Sequence, residues 1–164
     1  MNAIALLKAQ HKEVDELIEA IEKGRSMELK KSRFQELANK LAAHAAMEER
    51  IFYPAVMEKQ TEEILLESVE EHLSIKRVLA DMLELDVEDD QFDAKLSVMK
   101  EQLEHHAHEE EEKELLPKVQ KIFEKEELEA LGAEMLALFE ELMAGEPSQA
   151  VPGETDQAAP LPSA

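Results

Sequence analysis

The sequence predicts an all-α protein, built as an up-down four-helix bundle with an additional C-terminal helix and a disordered tail. Leu, Glu, Ala, Lys and Met, which all favour helix, fill most of the chain. Before residue 144 the only helix breakers are Gly24, Pro54, Pro117 and Gly132. Apolar residues recur at helical spacing in five successive segments. Because the loops between the first four segments are short, consecutive helices are expected to be antiparallel neighbours.

The first hairpin is predicted from two long amphipathic segments. A helix near 2–23 has an apolar stripe in which His11 takes one position. A second helix, near 27–57, has a similar stripe in which His44 and Glu48 replace apolar residues. His44 and Glu48 are four residues apart, so on an α-helix they share a face and can point at one centre.

The second hairpin repeats this arrangement. A helix near 62–85 carries His72 in its apolar stripe, and a helix near 90–122 carries His106 and Glu110, again four residues apart. One histidine followed, a helix later, by a His–Glu pair therefore occurs twice in the chain. We interpret the two hairpins as an internal repeat.

The remaining chain is predicted to form a shorter helix and a tail. The helix lies near 126–143 and is expected to pack across one side or end of the bundle. From residue 144 the composition changes, because this last segment holds four of the six prolines and almost no large apolar residues. Such a segment buries too little apolar surface to order itself. We therefore assign 1–143 to one helical domain and 144–164 to a disordered tail rich in Pro and Ala.

The chain is strongly acidic, which argues against some partners. Its 164 residues include 39 Asp and Glu against 18 Lys and Arg, a net charge of -21. Phosphates of nucleic acid and anionic membrane surfaces both need Lys and Arg. The absence of cysteine excludes disulfides, iron–sulfur clusters and thiolate zinc sites. We find no signal peptide and no apolar stretch that could span a bilayer, and we expect a cytoplasmic protein.

Six residues that can bind metal occupy positions in the apolar stripes. A buried carboxylate is unfavourable unless it is paired or binds a cation, and a buried histidine on its own is more often only hydrogen-bonded. The coincidence on four helices is what favours a metal site. The candidate ligands are His11, His44, Glu48, His72, His106 and Glu110.

This ligand set has a defined chemistry. Imidazoles and carboxylates without sulfur suit iron, manganese or zinc. Six ligands suit two ions better than one, since a single zinc ion takes about four. We therefore expect two ions bridged by Glu48 and Glu110 and by an oxo or hydroxo group, with one coordination position open.

A second pair of residues in the fourth helix could supply the ligands. His105 and Glu109 have the same spacing as His106 and Glu110. We favour His106, because it continues the apolar stripe of its helix and His105 does not. His105 is then expected to lie at the surface.

A second alternative concerns the carboxylate. Pro54 follows His44 by ten residues, whereas Pro117 follows His106 by eleven. One extra residue suggests a π-bulge, which is frequent at functional sites. Such a bulge could turn Glu111 towards the bundle axis in place of its neighbour.

The residues at these positions resemble the hemerythrin-like HHE cation-binding domain family over roughly 1–120. The matching elements are His11, HAAMEERIFYP (44–54), EEH (70–72) and HAHEEEEKELLP (106–117). The resemblance implies a hemerythrin-like bundle over 1–143 that holds a non-haem di-iron centre. It also implies that the six candidates above are the iron ligands.

The chain departs from the oxygen-carrying hemerythrins at two positions. Those carriers have a further histidine four residues after the ligand of the third helix, where this chain has Lys76. They also use an aspartate where this chain has Glu110. The differences weaken the case for simple oxygen carriage. With them the chain resembles the broad bacterial HHE group, whose roles include responses to oxygen, nitric oxide or peroxide, stress responses and iron handling.

Three functions are compatible with these features. The first is a di-iron protein that binds or responds to a small diatomic ligand or peroxide, or handles iron, with a possible electron-transfer partner. The second is a metal-dependent oxidoreductase that consumes peroxide or nitric oxide. We favour the first, because the only tyrosine, Tyr53, has a helical phase that points away from the axis and no other proton donor is evident. The third is a metal-free helical protein that binds a partner through its last helix, near 126–143, and its Met-containing stripes.

Overall fold

A computed structural model describes residues 1–164 and contains only helices. The α-helices are α1 (Ala3–Lys23), α2 (Met27–Met47), α3 (Tyr53–Ala55), α4 (Glu62–Leu83), α5 (Asp90–Leu103), α6 (Leu116–Ile122) and α7 (Lys125–Met143). The other helical segments are two π-helices, π1 (Glu48–Phe52) and π2 (Glu104–Leu115), and a 3₁₀-helix, Pro147–Glu154. The first π-helix continues α2 into α3, and the second continues α5 into α6. The prediction of an all-α bundle is confirmed.

Short polar side chains start the long helices. The side chain of Asn2 accepts a hydrogen bond from the Ala5 amide at 2.8 Å, which caps α1. Asp89 caps α5 by accepting from the Gln91 amide, also at 2.8 Å. A cap of this kind contributes about 1 kcal/mol, because it satisfies one of the amides that the first helical turn leaves free.

The core of the bundle forms two apolar layers with a polar layer between them. On α1, Leu7 belongs to one apolar layer and Val14 to the other, and His11 lies between them. On α2, Leu41 and Met47 lie in the two layers in the opposite order, as antiparallel packing requires. The bundle consists of four long helical rods, which are α1, α2 continued through π1 and α3, α4, and α5 continued through π2 and α6. The two apolar layers hold these rods in register and place the candidate ligands at one level.

The helix α7 packs against α1 and α2. Its contact with the start of α1 is close at Gly132, because a Cβ atom there would lie 2.5 Å from the carbonyl oxygen of Met1. No helix in the structure is long and apolar enough to cross a membrane.

The C-terminal segment, Pro147–Glu154, packs on α2 and α4. Its Val151 is 1% exposed and lies in the apolar layer that contains Leu41. The Ser148 amide donates to Asn39 Oδ1 at 3.1 Å. The expectation of a disordered tail is therefore wrong for these residues. Average composition does not reveal this docking, because it depends on individual contacts with the bundle, such as those of Val151 and Ser148.

Candidate metal centre

Six ligand-type side chains from α1, α2, α4 and the two π-helices meet between the two apolar layers. Five of them are candidates from the sequence, and the sixth is Glu111. We refer to them as the central cluster, which consists of His11, His44, Glu48, His72, His106 and Glu111. All are buried except His44, which is partly buried.

The central cluster divides into two groups of three. In each group, one ligand atom from every residue lies within 4.8 Å of the others. The first group is His11, His44 and Glu111, with His11 Nε2 lying 3.2 Å from Glu111 Oε1. Two imidazoles and one carboxylate can hold one cation of the iron, manganese or zinc type.

The second group has the same composition and consists of Glu48, His72 and His106. Glu48 Oε1 lies 3.3 Å from His72 Nε2, and the Nε2 atoms of His72 and His106 are 3.0 Å apart. Glu48 Oε1 is also 3.0 Å from His44 Nε2, which belongs to the first group. The two groups are thus adjacent and share contacts.

Each group combines residues from both hairpins. His11 and His44 come from the first hairpin, but their carboxylate comes from the second hairpin. The second group has the converse composition, with Glu48 from the first hairpin. Neither hairpin can therefore complete a group by itself, and the cluster requires the whole bundle.

The assignment of Glu110 to the cluster is corrected by the structure. The long π-helix π2 spans the stretch between His106 and the following glutamates. Because a π-helix bonds residues five apart, the residue that shares a face with His106 is Glu111 and not Glu110. Glu111 Oε1 lies 3.5 Å from His106 Nε2.

Glu110 instead lies beside the cluster, in a third and more exposed group with Glu71 and His105, whose ligand atoms also lie within 4.8 Å of one another. Its carboxylate accepts a hydrogen bond from Ser68 at 3.0 Å and lies 3.7 Å from His105 Nε2. Burial and the nearby Glu71 carboxyl raise the pKa of Glu110 to about 8. His105 is 59% exposed, and Glu109 is also exposed, so the alternative pair from the sequence lies at the surface.

The outward nitrogen of every cluster histidine contacts an oxygen acceptor. Gln10, Glu49, Glu71 and Glu112 occupy these positions. The Nδ1–O distances are 2.6 Å from His44 to Gln10, 2.8 Å from His72 to Glu49, and 2.7 Å both from His106 to Glu71 and from His11 to Glu112. Such partners fix the imidazole orientation and direct the Nε2 lone pair towards the centre.

Sequence reasoning missed these four acceptors, although a signal was available. Each acceptor is adjacent in sequence to one cluster residue and supports a histidine on another helix. Glu71, for example, precedes His72 but contacts His106. Polar residues directly beside the candidate ligands, as in EEH (70–72), were therefore the signal.

Tyr53 also joins the centre, contrary to the expectation that it points away. Its hydroxyl is fully buried and donates to Glu111 Oε2 at 2.9 Å, with His72 Nε2 3.2 Å away. The cause is π1, in which the Tyr53 amide bonds to the Glu48 carbonyl five residues earlier. This bond places Tyr53 on the face of Glu48, whereas an α-helix would have turned it aside.

Mutual contacts shift the pKa values of the cluster. Burial alone would lower the pKa of His11 and His72, but neighbouring carboxylates outweigh it and raise both to about 10. Burial dominates at His106, whose pKa falls to about 4. Burial and the charge of Glu48 raise the pKa of Glu111 to about 7. Burial would also raise the pKa of Glu48, yet the surrounding imidazoles hold it well below its usual range.

Several atoms at the centre are buried without a hydrogen-bond partner. They are His11 Nε2, both carboxylate oxygens of Glu48, and Glu111 Oε1. Each such atom lowers the free energy of unfolding by about 1–3 kcal/mol, so four together are a large destabilisation for a small domain. Cations held by the two groups would accept these lone pairs. The residues present therefore fit a metal, and the donor set is nitrogen and oxygen without sulfur.

The chain is similar to known proteins in both sequence and fold. The hemerythrin HHE cation-binding domain family matches residues 2–119. A solved structure of a hemerythrin HHE cation-binding domain-containing protein from Mycobacterium kansasii is similar, with 26% identity, 88% of each chain covered and a TM-score of 0.77. No curated protein sequence gave a significant match. Because the family match covers most of the chain, the protein belongs to the hemerythrin HHE cation-binding domain family.

Proposed function

We propose that this protein holds a non-haem di-iron centre that binds or responds to oxygen, nitric oxide or peroxide, or handles iron. The observation that carries the proposal is the pair of adjacent His–His–Glu groups, whose buried atoms lack other partners. Two groups of three ligands suit two ions. Glu48 contacts histidines of both groups, as a bridging carboxylate would.

The residues of the chain have separable roles in this proposal. The four histidines offer Nε2 to the ions, and the acceptors at Nδ1 hold the rings in place. The apolar layers on both sides limit access of water. Two bound iron ions would supply an open coordination position and electrons for exchange with the small molecule.

The first test is metal content and spectroscopy. Protein produced with iron should contain about two iron ions per chain and show absorption of an oxo-bridged ferric pair in air. The spectrum should change on addition of nitric oxide or peroxide to the appropriate redox form. Protein that binds no iron, or that binds iron with an unresponsive spectrum, would contradict the proposal.

A matched pair of variants controls this test. His106→Ala removes a cluster residue, whereas His105→Ala removes its exposed neighbour in the same helix. We expect the first variant to lose iron and the spectrum, and the second to keep both. Equal loss in both variants would indicate that iron binds to the acidic surface instead.

A second candidate function is a metal-dependent oxidoreductase that consumes peroxide or nitric oxide. The observation that favours it is the Tyr53 hydroxyl, which supplies a buried O–H donor beside the cluster. Peroxide or nitric oxide should then disappear faster with the iron-loaded protein than with the same amount of free iron. Consumption at the rate of free iron would reject this function.

The Met-containing stripes of the third hypothesis do not form a surface that a partner could contact. Met47, Met82, Met99 and Met135 are fully buried. They pack in the two apolar layers and offer no contact area to another protein.

A further inference from the structure

A small cavity lies against one side of the central cluster. It has a volume of about 40 Å³ and is lined mainly by apolar side chains from α2 and α4, together with Leu103. Three cluster imidazoles, those of His44, His72 and His106, form part of its wall. A molecule in this cavity would therefore contact these three histidines of the cluster.

The size and lining of the cavity restrict what it can hold. A site needs about 10–15 Å³ to hold one water molecule, so this cavity has room for roughly three atoms of that size. An apolar lining disfavours ions, because a charge would lose its hydration there. The occupant that fits is an uncharged molecule of two or three heavy atoms, such as a diatomic gas.

One wall of the cavity comes from outside the bundle. Val151, on the C-terminal segment, is the only lining residue that does not belong to the helical rods. The segment is fastened over the gap between α2 and α4 from both sides. Ser148 is hydrogen-bonded to Asn39 and Gln35 of α2, and Glu154 lies 3.6 Å from the ammonium group of Lys76 on α4.

Lys76 is itself held in place at the cavity wall. Its ammonium group is buried and donates to Glu49 Oε1 at 2.9 Å. Glu49 also contacts the outward nitrogen of His72. The chain Glu154–Lys76–Glu49–His72 therefore joins the C-terminal segment to the cluster through polar contacts.

We propose that Val151, on the C-terminal segment, sets the size of the molecule that this cavity can hold beside the cluster. The proposal rests on the proposed function for the chemistry of the ligand, but the cavity and its wall stand on their own geometry. The segment lies beyond residues 2–119, so size selection here would be a property of this chain outside the matched family region.

Xenon tests the cavity without reference to metal chemistry, since apolar cavities of this kind bind it. We would follow xenon NMR of the full chain, as isolated, for the natural protein and for Val151→Phe, Val151→Ala and Val98→Phe. Val98 is 48% exposed and serves as the matched control. We expect Val151→Phe to weaken xenon binding roughly tenfold, Val151→Ala to strengthen it because the cavity becomes larger, and the control to have no effect.

The same variants in iron-loaded form test size selection. Val151→Phe should slow nitric oxide association about tenfold, whereas Val151→Ala should admit it at least as fast as the natural protein. Xenon binding that is absent, or that ignores both changes at Val151, overturns the proposal. Val151→Ala keeps the test valid if the larger side chain prevents folding. Xenon binding that depends on Val151, in protein whose iron never responds to a small molecule, would reject the proposed function and keep the cavity.

Discussion

The two hairpins bring equivalent ligands to one level by different helical geometry. In the first hairpin, the histidine and glutamate of the pair are four residues apart, as in His44 and Glu48. In the second hairpin they are five residues apart, as in His106 and Glu111. Both glutamates nevertheless reach the same cluster. A spacing in sequence therefore specifies a shared face only when the local helical period is known.

The difference follows from where each π-helix begins. The first, π1, begins at Glu48, after the His–Glu pair, so the pair itself keeps α-helical spacing and the wider turn affects Tyr53. The second, π2, begins at Glu104, before His106, so the wider turn falls within the pair and selects Glu111. A π-helix thus adds the hydroxyl of Tyr53 to the centre in the first hairpin. In the second hairpin, a π-helix determines which glutamate faces the centre.

The largest expected effect distinguishes the two adjacent glutamates of π2. Glu111→Gln removes a carboxylate that contacts His11 and His106. We expect metal affinity to fall by more than the roughly 10–100-fold that is typical when a ligand loses only its hydrogen-bond partner. Glu110→Gln should leave metal content unchanged, because Glu110 lies against Ser68 outside the cluster. Its raised pKa, about 8, also means that the glutamine mimics a carboxyl that is largely protonated at neutral pH.

Elemental analysis and metal titration of both variants would measure this contrast. The natural protein provides the reference stoichiometry, and circular dichroism would verify that both variants keep their helices. Loss of metal in Glu110→Gln together with retention in Glu111→Gln would contradict this prediction and would mean that both hairpins use the same α-helical spacing.

The next effect concerns pH and tests one histidine from each hairpin. His11 and His72 have pKa values of about 10, so both are protonated at pH 7. A cation that binds at Nε2 must displace those protons, and the carboxyl of Glu111, with a pKa of about 7, is half protonated and must also lose its proton. Binding should therefore release about two to three protons at neutral pH. Metal affinity should therefore rise as the pH increases from 7 towards 10. Calorimetric titration in buffers of different ionisation enthalpy would count the protons, and a heat independent of buffer would contradict this view.

Much of the fold was predictable because it depends on regular periodicity. The five helices and the central level of His11, His44, Glu48, His72 and His106 follow from apolar stripes that keep one period. The carboxylate Glu111 required knowledge of a π-helix, for which the only sequence signal was the extra residue before a proline. That signal indicated an irregularity but not its position.

The remaining features depend on contacts between segments far apart in sequence. Val151 docks because a gap between α2 and α4 is there to receive it, and Tyr53 points inward because π1 rotates it. Neither contact leaves a periodic pattern. Local composition therefore predicted disorder for the first residue, and an α-helical phase predicted an outward position for the second.

The acceptors at the outward side of the histidines are expected to have a smaller effect on metal affinity. Glu71 accepts from His106, whereas its neighbour Glu70 is exposed. Loss of a partner of this kind typically lowers metal affinity about 10–100-fold. We expect Glu71→Ala to fall in this range and Glu70→Ala to bind as the natural protein does. Competition titrations with a chelator would measure both, and equal affinities would show that the acceptor has no influence on the metal.

The two π-helices are followed by different residues, and this difference is expected to have only a small effect on stability. Tyr53 follows Glu48 by five residues, and Leu116 follows Glu111 by five, with each amide bonded to the carbonyl of its glutamate. The two residues are therefore structural counterparts, both buried, yet only Tyr53 carries a hydroxyl. That hydroxyl donates to Glu111. It remains a donor across the accessible pH range, since burial and two nearby carboxylates raise the pKa of Tyr53 well above its ordinary value.

Tyr53→Phe should keep the ring packing and remove only this donor. Glu111 would then lose its hydrogen bond, and we expect the free energy of unfolding to fall by about 1–3 kcal/mol, measured by urea denaturation. The counterpart Leu116→Met conserves volume and involves no polar group, so it should cost less than about 1.5 kcal/mol. If Tyr53→Phe is neutral while Leu116→Met is costly, the hydroxyl contributes nothing to stability. The two π-helices would then differ only in which carboxylate they turn towards the axis.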